Sequence, residues 1–192
     1  QNNFTFIVMG ATGDLAKKKI FPAIYGLLKS GKLGSDFSLV GTARKNLTRE
    51  EFIESVEKSI PKKEEKIWNK LKGKLYYYSL NFDTEKGFKK FGTFISEIEK
   101  IHNTKGNALF YLATLPNHFK NIAKNLDKYC INKSKNCWTK VVFEKPFGDD
   151  EKSAKNLNKE IKKVFDEKQI FRIDHYLGKD VLQNIGFLKR LN

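Results

Sequence analysis

Apolar positions along this chain alternate between strand-like runs and helical spacing. Phe4-Thr-Phe-Ile-Val-Met9 is a short β-prone run, followed at once by Gly10-Ala-Thr-Gly13. From Leu15 to about Leu28 the apolar residues return at helical spacing, with Ile20, Ile24, Leu27 and Leu28 on one face, until Gly31 and Gly34 end the stretch. Ser38 to Thr42 predicts a second strand. Thr48 followed by Glu51 reads as a capping box, and Phe52, Ile53, Val56 and Ile60 give the apolar face of the helix it opens, up to Pro61. Leu75 to Ser79 predicts a third strand. A helix follows from about Thr84 to Ile101, with Phe88, Phe91, Phe94, Ile95 and Ile98 on one side. Ala108 to Ala113 is a fourth strand, and Pro116 suits the first turn of a helix ending near Tyr129. Lys140 to Glu144 is a fifth strand, Ser153 to Phe165 is helical, and Gln169 to Ile173 is a short extended piece.

Strand and helix therefore alternate along almost the whole chain. That order predicts an α/β fold, a parallel sheet with helices on both faces and right-handed crossovers. At 192 residues the chain fits one domain and the start of a second, with the boundary near 173–178, where the alternation stops. No apolar run approaches the ~18–20 residues that span a bilayer, so no membrane partner is expected. The start, Gln1-Asn2-Asn3-Phe4, lacks the basic and apolar regions of a secretory leader. Cys130 and Cys137 have neither a CxxC spacing nor nearby histidines. They are expected to be reduced cytoplasmic thiols, with no metal site. The net charge of +15 raises a nucleic-acid reading. The lysines, however, are interleaved with acids at helical surface spacing, as in Lys159-Glu160-Ile161-Lys162-Lys163, which is the pattern of solvated helix faces. No nucleic-acid partner is expected.

Strand, glycine loop, helix is the arrangement that receives a pyrophosphate. Glycines let the backbone approach the phosphates, and the helix start supplies unpaired N–H groups. Here the loop is Gly10-x-x-Gly13-x-x-Ala16, not the usual GxGxxG, and its position after the first strand gives it weight. Dinucleotide domains that take NAD place an acid at the end of the second strand; this chain places Gly41-Thr-Ala-Arg44-Lys45 there. A guanidinium grips a 2′-phosphate that a carboxylate would repel, so Arg44 points to NADP, with Lys45 and Thr12 able to assist. The fold expected is a Rossmann-like doubly wound sheet.

Two further clusters carry chemistry. Glu144-Lys-Pro-Phe-Gly148 follows the fifth strand, and ligands of open α/β sheets bind beyond the carboxyl ends of strands. Lys145 would stand there, with Pro146 restricting its backbone. Arg172-Ile-Asp-His-Tyr-Leu-Gly-Lys179 offers donors for a phosphate dianion in His175, Tyr176 and Lys179. Asp174, acceptor-only when ionised, should face away, toward a histidine that needs orienting. His102 and His118 have no such neighbours in sequence and are expected to be surface histidines.

With these motifs in hand, the chain resembles the glucose-6-phosphate dehydrogenase family. The resemblance rests on Met9-Gly-Ala-Thr-Gly-Asp-Leu-Ala-Lys-Lys-Lys19, Gly41-Thr-Ala-Arg44, Glu144-Lys-Pro-Phe-Gly148 and Arg172-Ile-Asp-His-Tyr-Leu-Gly-Lys179, in order along nearly all of the sequence. It implies oxidation of C1 of glucose 6-phosphate with hydride transfer to NADP. By the same resemblance Gly10, Ala11, Thr12, Gly13, Asp14 and Leu15 would line the dinucleotide, and Arg44 would hold its 2′-phosphate. Lys145 would serve substrate, cofactor and catalysis. His175, Tyr176 and Lys179 would bind the sugar phosphate, and Asp174 would orient the general base.

The family's base is a histidine of a second, α+β domain, and no residue here matches its motif. The resemblance therefore implies an NADP-binding domain over 1–174 and the beginning of the substrate domain over 175–192. Little or no turnover and a monomer are expected from this stretch alone, although the family's full-length members are homo-oligomers. The Lys- and Asn-rich composition is similar to that of malaria-parasite members, in which this domain is fused to a lactonase. One departure is local: the family usually has Ala-x-Pro-Pro after the fourth strand, and this chain reads Ala113-Thr-Leu-Pro116, which should loosen the turn. A different class of reading, a non-catalytic module that senses NADP(H), shares the cofactor site without the sugar chemistry.

Overall fold

Three runs in which every residue is buried make the middle of the sheet: β1 (Phe4–Met9), β2 (Phe37–Ala43) and β4 (Ala108–Leu112). Strands covered on both faces read as continuous apolar runs, which is why these segments show no alternation. β3 (Leu75–Ser79) and β6 (Ile170–Ile173) are only partly buried, as sheet edges are, and β5 (Thr139–Glu144) lies between β4 and β6. The computed structural model describes residues 3–34, 36–131, 134, 136–144 and 150–173. Among them the six strands form one parallel sheet in the order β3-β2-β1-β4-β5-β6. The strand order reverses between β1 and β4, which is the switch point where such folds bind ligands.

Side chains of alternate strand residues enter two separate cores. Phe6 and Val8 join α1 (Phe21–Lys29), α2 (Arg49–Lys58) and α3 (Glu65–Lys72) through Ile24, Phe52, Val56, Trp68 and Leu71. Ile7 and Met9 face the other way, onto α4 (Glu85–His102), α5 (Phe119–Tyr129) and α6 (Glu151–Lys162), through Phe88, Phe91, Ile95, Ile122 and Ile161. This is the doubly wound arrangement the alternation predicts.

Several details differ from the sequence reading. α3 is unexpected: only Trp68 and Leu71 are buried on it, and Glu64 ahead of it makes no side-chain cap. α6 begins at Glu151, two residues earlier than expected, because Asp150 accepts from Ser153 N at 2.6 Å and Ser153 Oγ reciprocates. The capping box of Thr48 and Glu51 is present as read. The helix after the glycine loop opens with a π turn over Ala16–Ile20, closed by Phe21 N–H to Ala16 O. Pro22 explains the wider turn, since it has no N–H to continue the ordinary ladder. Cys130 is a buried free thiol, pushed up to about 12 by burial, and so is unreactive near neutral pH.

His102 is not the surface histidine expected. At the end of α4 its Nε2 lies 2.9 Å from the Tyr76 hydroxyl, with the two rings edge to face. Burial, then Lys74 and Arg49, lower its pKa from the ordinary 6.5. The folded chain therefore binds this proton less readily than the unfolded one. Stability from the neutral ring is fully present above ~6.5 and falls as pH drops below that toward the folded value. Unfolding free energy measured by urea titration at successive pH values should decline through this range. His102→Gln is expected to flatten the slope; an unchanged slope would assign the decline elsewhere.

Candidate functional site

The carboxyl ends of the strands open on one cleft of about 520 Å³. Five segments far apart in sequence line it: the glycine loop with Gly10, Thr12, Gly13 and Leu15; Arg44 and Lys45 after β2; Phe82 after β3; Ala113 to Pro116 and His118 after β4; and Glu144 ending β5. No helix among the described residues is long and apolar enough to cross a membrane, and none of their His, Cys, Asp and Glu side chains cluster as metal ligands.

The loop is tied down on its β2 side. Gly10 N–H and Ala11 N–H both donate to Thr42 O, at 2.8 and 3.1 Å, and Gly13 N–H donates to Gly10 O at 3.0 Å. Gly10 has φ +93°, and a Cβ there would stand 2.4 Å from Ala113 O. Only glycine lets β1's exit pass this close to β4's exit, and the same bare backbone admits a ligand. Lys17 N–H to Gly13 O, at 3.2 Å, is the first bond of the helix to a loop carbonyl. The amides ahead of it are the unpaired donors of a helix start, suited to a pyrophosphate.

Of the residues read from sequence, Gly10, Thr12, Gly13, Leu15 and Arg44 come together in the cleft. Ala11 is buried behind the loop at 1% exposure, where its backbone supports the turn. Asp14 points to solvent, paired with Lys18 at 2.6 Å, and Lys18 holds its carboxyl below the usual range. That pair draws the loop's negative charge away from where phosphates would lie. Lys145, Pro146, Asp174, His175, Tyr176 and Lys179 lie outside the described residues.

Arg44 is presented rather than buried. Its backbone is held from β3: Tyr77 Oη donates to Lys45 O at 2.6 Å, and Ser79 Oγ donates to Arg44 O at 3.3 Å. Burial raises the Tyr77 phenol to about 12, so it remains a donor. Among the described residues the Arg44 guanidinium has no acidic partner, which leaves it available to an anion in the cleft.

Phe82 and His118 line the cleft without a signal in the sequence, and Glu144 lines it as the first residue of the motif after the fifth strand, with no role read for its own side chain. Phe82 is buried beside the cleft. His118, expected at the surface, has its side chain only 15% exposed, with Nδ1 3.1 Å from Asp83 Oδ1. Glu144, at the other end, accepts from the Tyr111 hydroxyl. Burial, and then the bond to Glu144, push the Tyr111 phenol far above its ordinary range, so it donates at every physiological pH. What these residues share is a place just after a strand, and the sheet order alone brings them together. Leu115 keeps the backbone a proline would have, φ −67° and ψ 148°, so the turn retains its form without the second proline.

Residues 7–184 match the family model described as glucose-6-phosphate dehydrogenase, NAD binding domain. The sequence is 41% identical over 99% of its length to glucose-6-phosphate 1-dehydrogenase 5, cytoplasmic, of Arabidopsis thaliana. It is 36% identical over its whole length to glucose-6-phosphate 1-dehydrogenase of Bacillus subtilis. It spans 39% of each of these relatives. A solved glucose-6-phosphate dehydrogenase in complex with glucose 6-phosphate superposes with a TM-score of 0.83 at 32% identity, over 100% of this chain and 40% of that one.

Proposed function

The chain belongs to the glucose-6-phosphate dehydrogenase NAD binding domain family, and on that premise we propose that it is the NADP-binding part of a glucose-6-phosphate 1-dehydrogenase. The reading assigns the whole enzyme oxidation of C1 of glucose 6-phosphate, the first step of the oxidative pentose phosphate pathway. The dinucleotide supplies the hydride acceptor. The observation that carries the cofactor assignment is the Arg44 guanidinium at the exit of β2, which has no acidic partner among the described residues and shares its cleft with the bare backbone of Gly10 and Gly13. The loop amides and helix start would hold the pyrophosphate, and Arg44 the 2′-phosphate, with Thr12 and Lys45 beside them.

Lys145, His175, Tyr176 and Lys179 are assigned to the sugar phosphate, and Asp174 to orienting the base, on their motifs alone. The boundary is placed near 174, with 175–192 opening the substrate domain. The general base belongs to that second domain, so this 192-residue chain alone is assigned little or no turnover. Robust NADPH formation by it from glucose 6-phosphate would contradict that. A cytoplasmic location is assigned from the names of two Arabidopsis thaliana relatives.

Calorimetric titration with NADP⁺ and NAD⁺ tests the cofactor reading. NADP⁺ is expected to bind the wild-type chain more tightly. Arg44→Ala should weaken NADP⁺ by about 10–100-fold, the scale of one or two charge-assisted hydrogen bonds, and leave NAD⁺ nearly unchanged. Equal loss for both dinucleotides would remove Arg44 from the specificity argument.

A further inference from the structure

His118 is the cleft residue that neither the glycine loop nor the basic β2 exit accounts for. It closes the short turn Pro116–His118 ahead of α5 and lines the same cleft as Gly10 and Arg44. Two contacts fix its ring. Nδ1 lies 3.1 Å from Asp83 Oδ1, and the imidazole stands edge to face with Phe82, with centroids 6.0 Å apart. Phe82 and Asp83 both follow β3, on the Arg44 side of the sheet. Because a carboxylate can only accept, Nδ1 carries the proton facing Asp83, and in the neutral ring Nε2 is then the acceptor. No described residue pairs with Nε2.

We infer that His118 is an adenine-binding residue, whose Nε2 accepts from the exocyclic amino group of the base of the bound dinucleotide. The inference rests on the cleft's assignment to NADP. Position favours the adenosine half, since Phe82 and Arg44 leave the adjacent strands β3 and β2. Charge favours a base over a phosphate, because the Asp83 carboxylate, 52% exposed beside the ring, repels an anion. Phe82, which lines the cleft and meets the imidazole edge to face, adds an apolar surface beside that acceptor.

The test compares NADP⁺ with its hypoxanthine counterpart, in which a carbonyl oxygen replaces the adenine amino group. An acceptor facing Nε2 removes the bond and adds repulsion. The wild-type chain is expected to bind NADP⁺ about 5–20-fold more tightly than the analogue in calorimetric titration. His118→Ala should lose a similar factor for NADP⁺ and bind the two dinucleotides equally. His118→Phe, which keeps a ring against Phe82, should do the same with its melting temperature preserved. Wild-type chain that binds both dinucleotides equally, or a His118→Phe variant that still discriminates, overturns the inference and leaves the NADP assignment standing. Wild-type chain that binds neither dinucleotide overturns the NADP assignment, and this inference with it.

Discussion

Gly10→Ala is expected to lower the melting temperature by about 6–12 °C and to abolish dinucleotide binding. Two costs coincide. At φ +93° the backbone lies where a side chain is strained, at about 1–3 kcal/mol. The added Cβ would also meet Ala113 O at 2.4 Å and the carbonyl carbon behind it at 2.9 Å. Those are backbone atoms of the segment leaving β4, paired to β1 through Ala113 N–H and Met9 O at 2.8 Å, so they yield only if that pairing opens. A total of about 3 kcal/mol converts to the stated shift for a chain of this size. Binding is expected to fail for a separate reason: opening the β1–β4 exit moves the loop amides off the position proposed for the pyrophosphate. Calorimetry of folding and of NADP⁺ binding checks the two effects. A variant that melts like the wild type, or binds like it, would show that the loop has more slack than its contacts indicate.

Gly92→Ala should destabilise about as much and leave binding near the wild-type level. In an exposed helix this change stabilises by about 1 kcal/mol, because glycine has more backbone freedom to lose. Here the sign reverses. Gly92 of α4 packs directly against the end of α5, and a Cβ would lie 2.0 Å from Tyr129 O. That carbonyl ends α5, where Cys130 N–H and Ile131 N–H cap onto Leu126 O, so it cannot rotate away alone. Separating the helices costs the packing of Phe88, Phe91 and Leu126, for a net loss of about 2–4 kcal/mol. The contact lies at the end of α5 remote from His118, so the cleft is undisturbed. A melting temperature at or above the wild-type value would refute the steric argument. Loss of NADP⁺ affinity would show that the α4–α5 seam is coupled to the site.

How much was legible in the sequence depended on the range of the information. β1, the glycine loop and Arg44 could be read because each rests on neighbours a few residues away: a buried run, a spacing of glycines, a cation where an acid is usual. The Thr48 box was legible for the same reason. α3 was not, since Glu65–Lys72 is short, offers two buried residues and lacks a capping side chain. The π turn depends on how Pro22 meets a helix already begun, which no periodicity displays. Phe82, His118 and Glu144 belong to the cleft only because β3, β4 and β5 end beside it. Histidines without chemical neighbours in sequence found them in space, His102 in Tyr76 and His118 in Asp83.

The sheet order also sets when, during synthesis, this chain acquires its site. β1 leaves the ribosome ahead of β2, but β4, the neighbour on β1's other side, comes only after α2, α3, β3 and α4. Until Thr5 can stand opposite Ala108, the loop at Gly10 has one wall, and Phe82 and His118 have nothing to face. A nascent chain in that interval presents no enclosed pocket for a dinucleotide to select, so the cofactor cannot template the early half of folding. It stabilises the finished domain by mass action, after the longest-range pairing of β1 has formed.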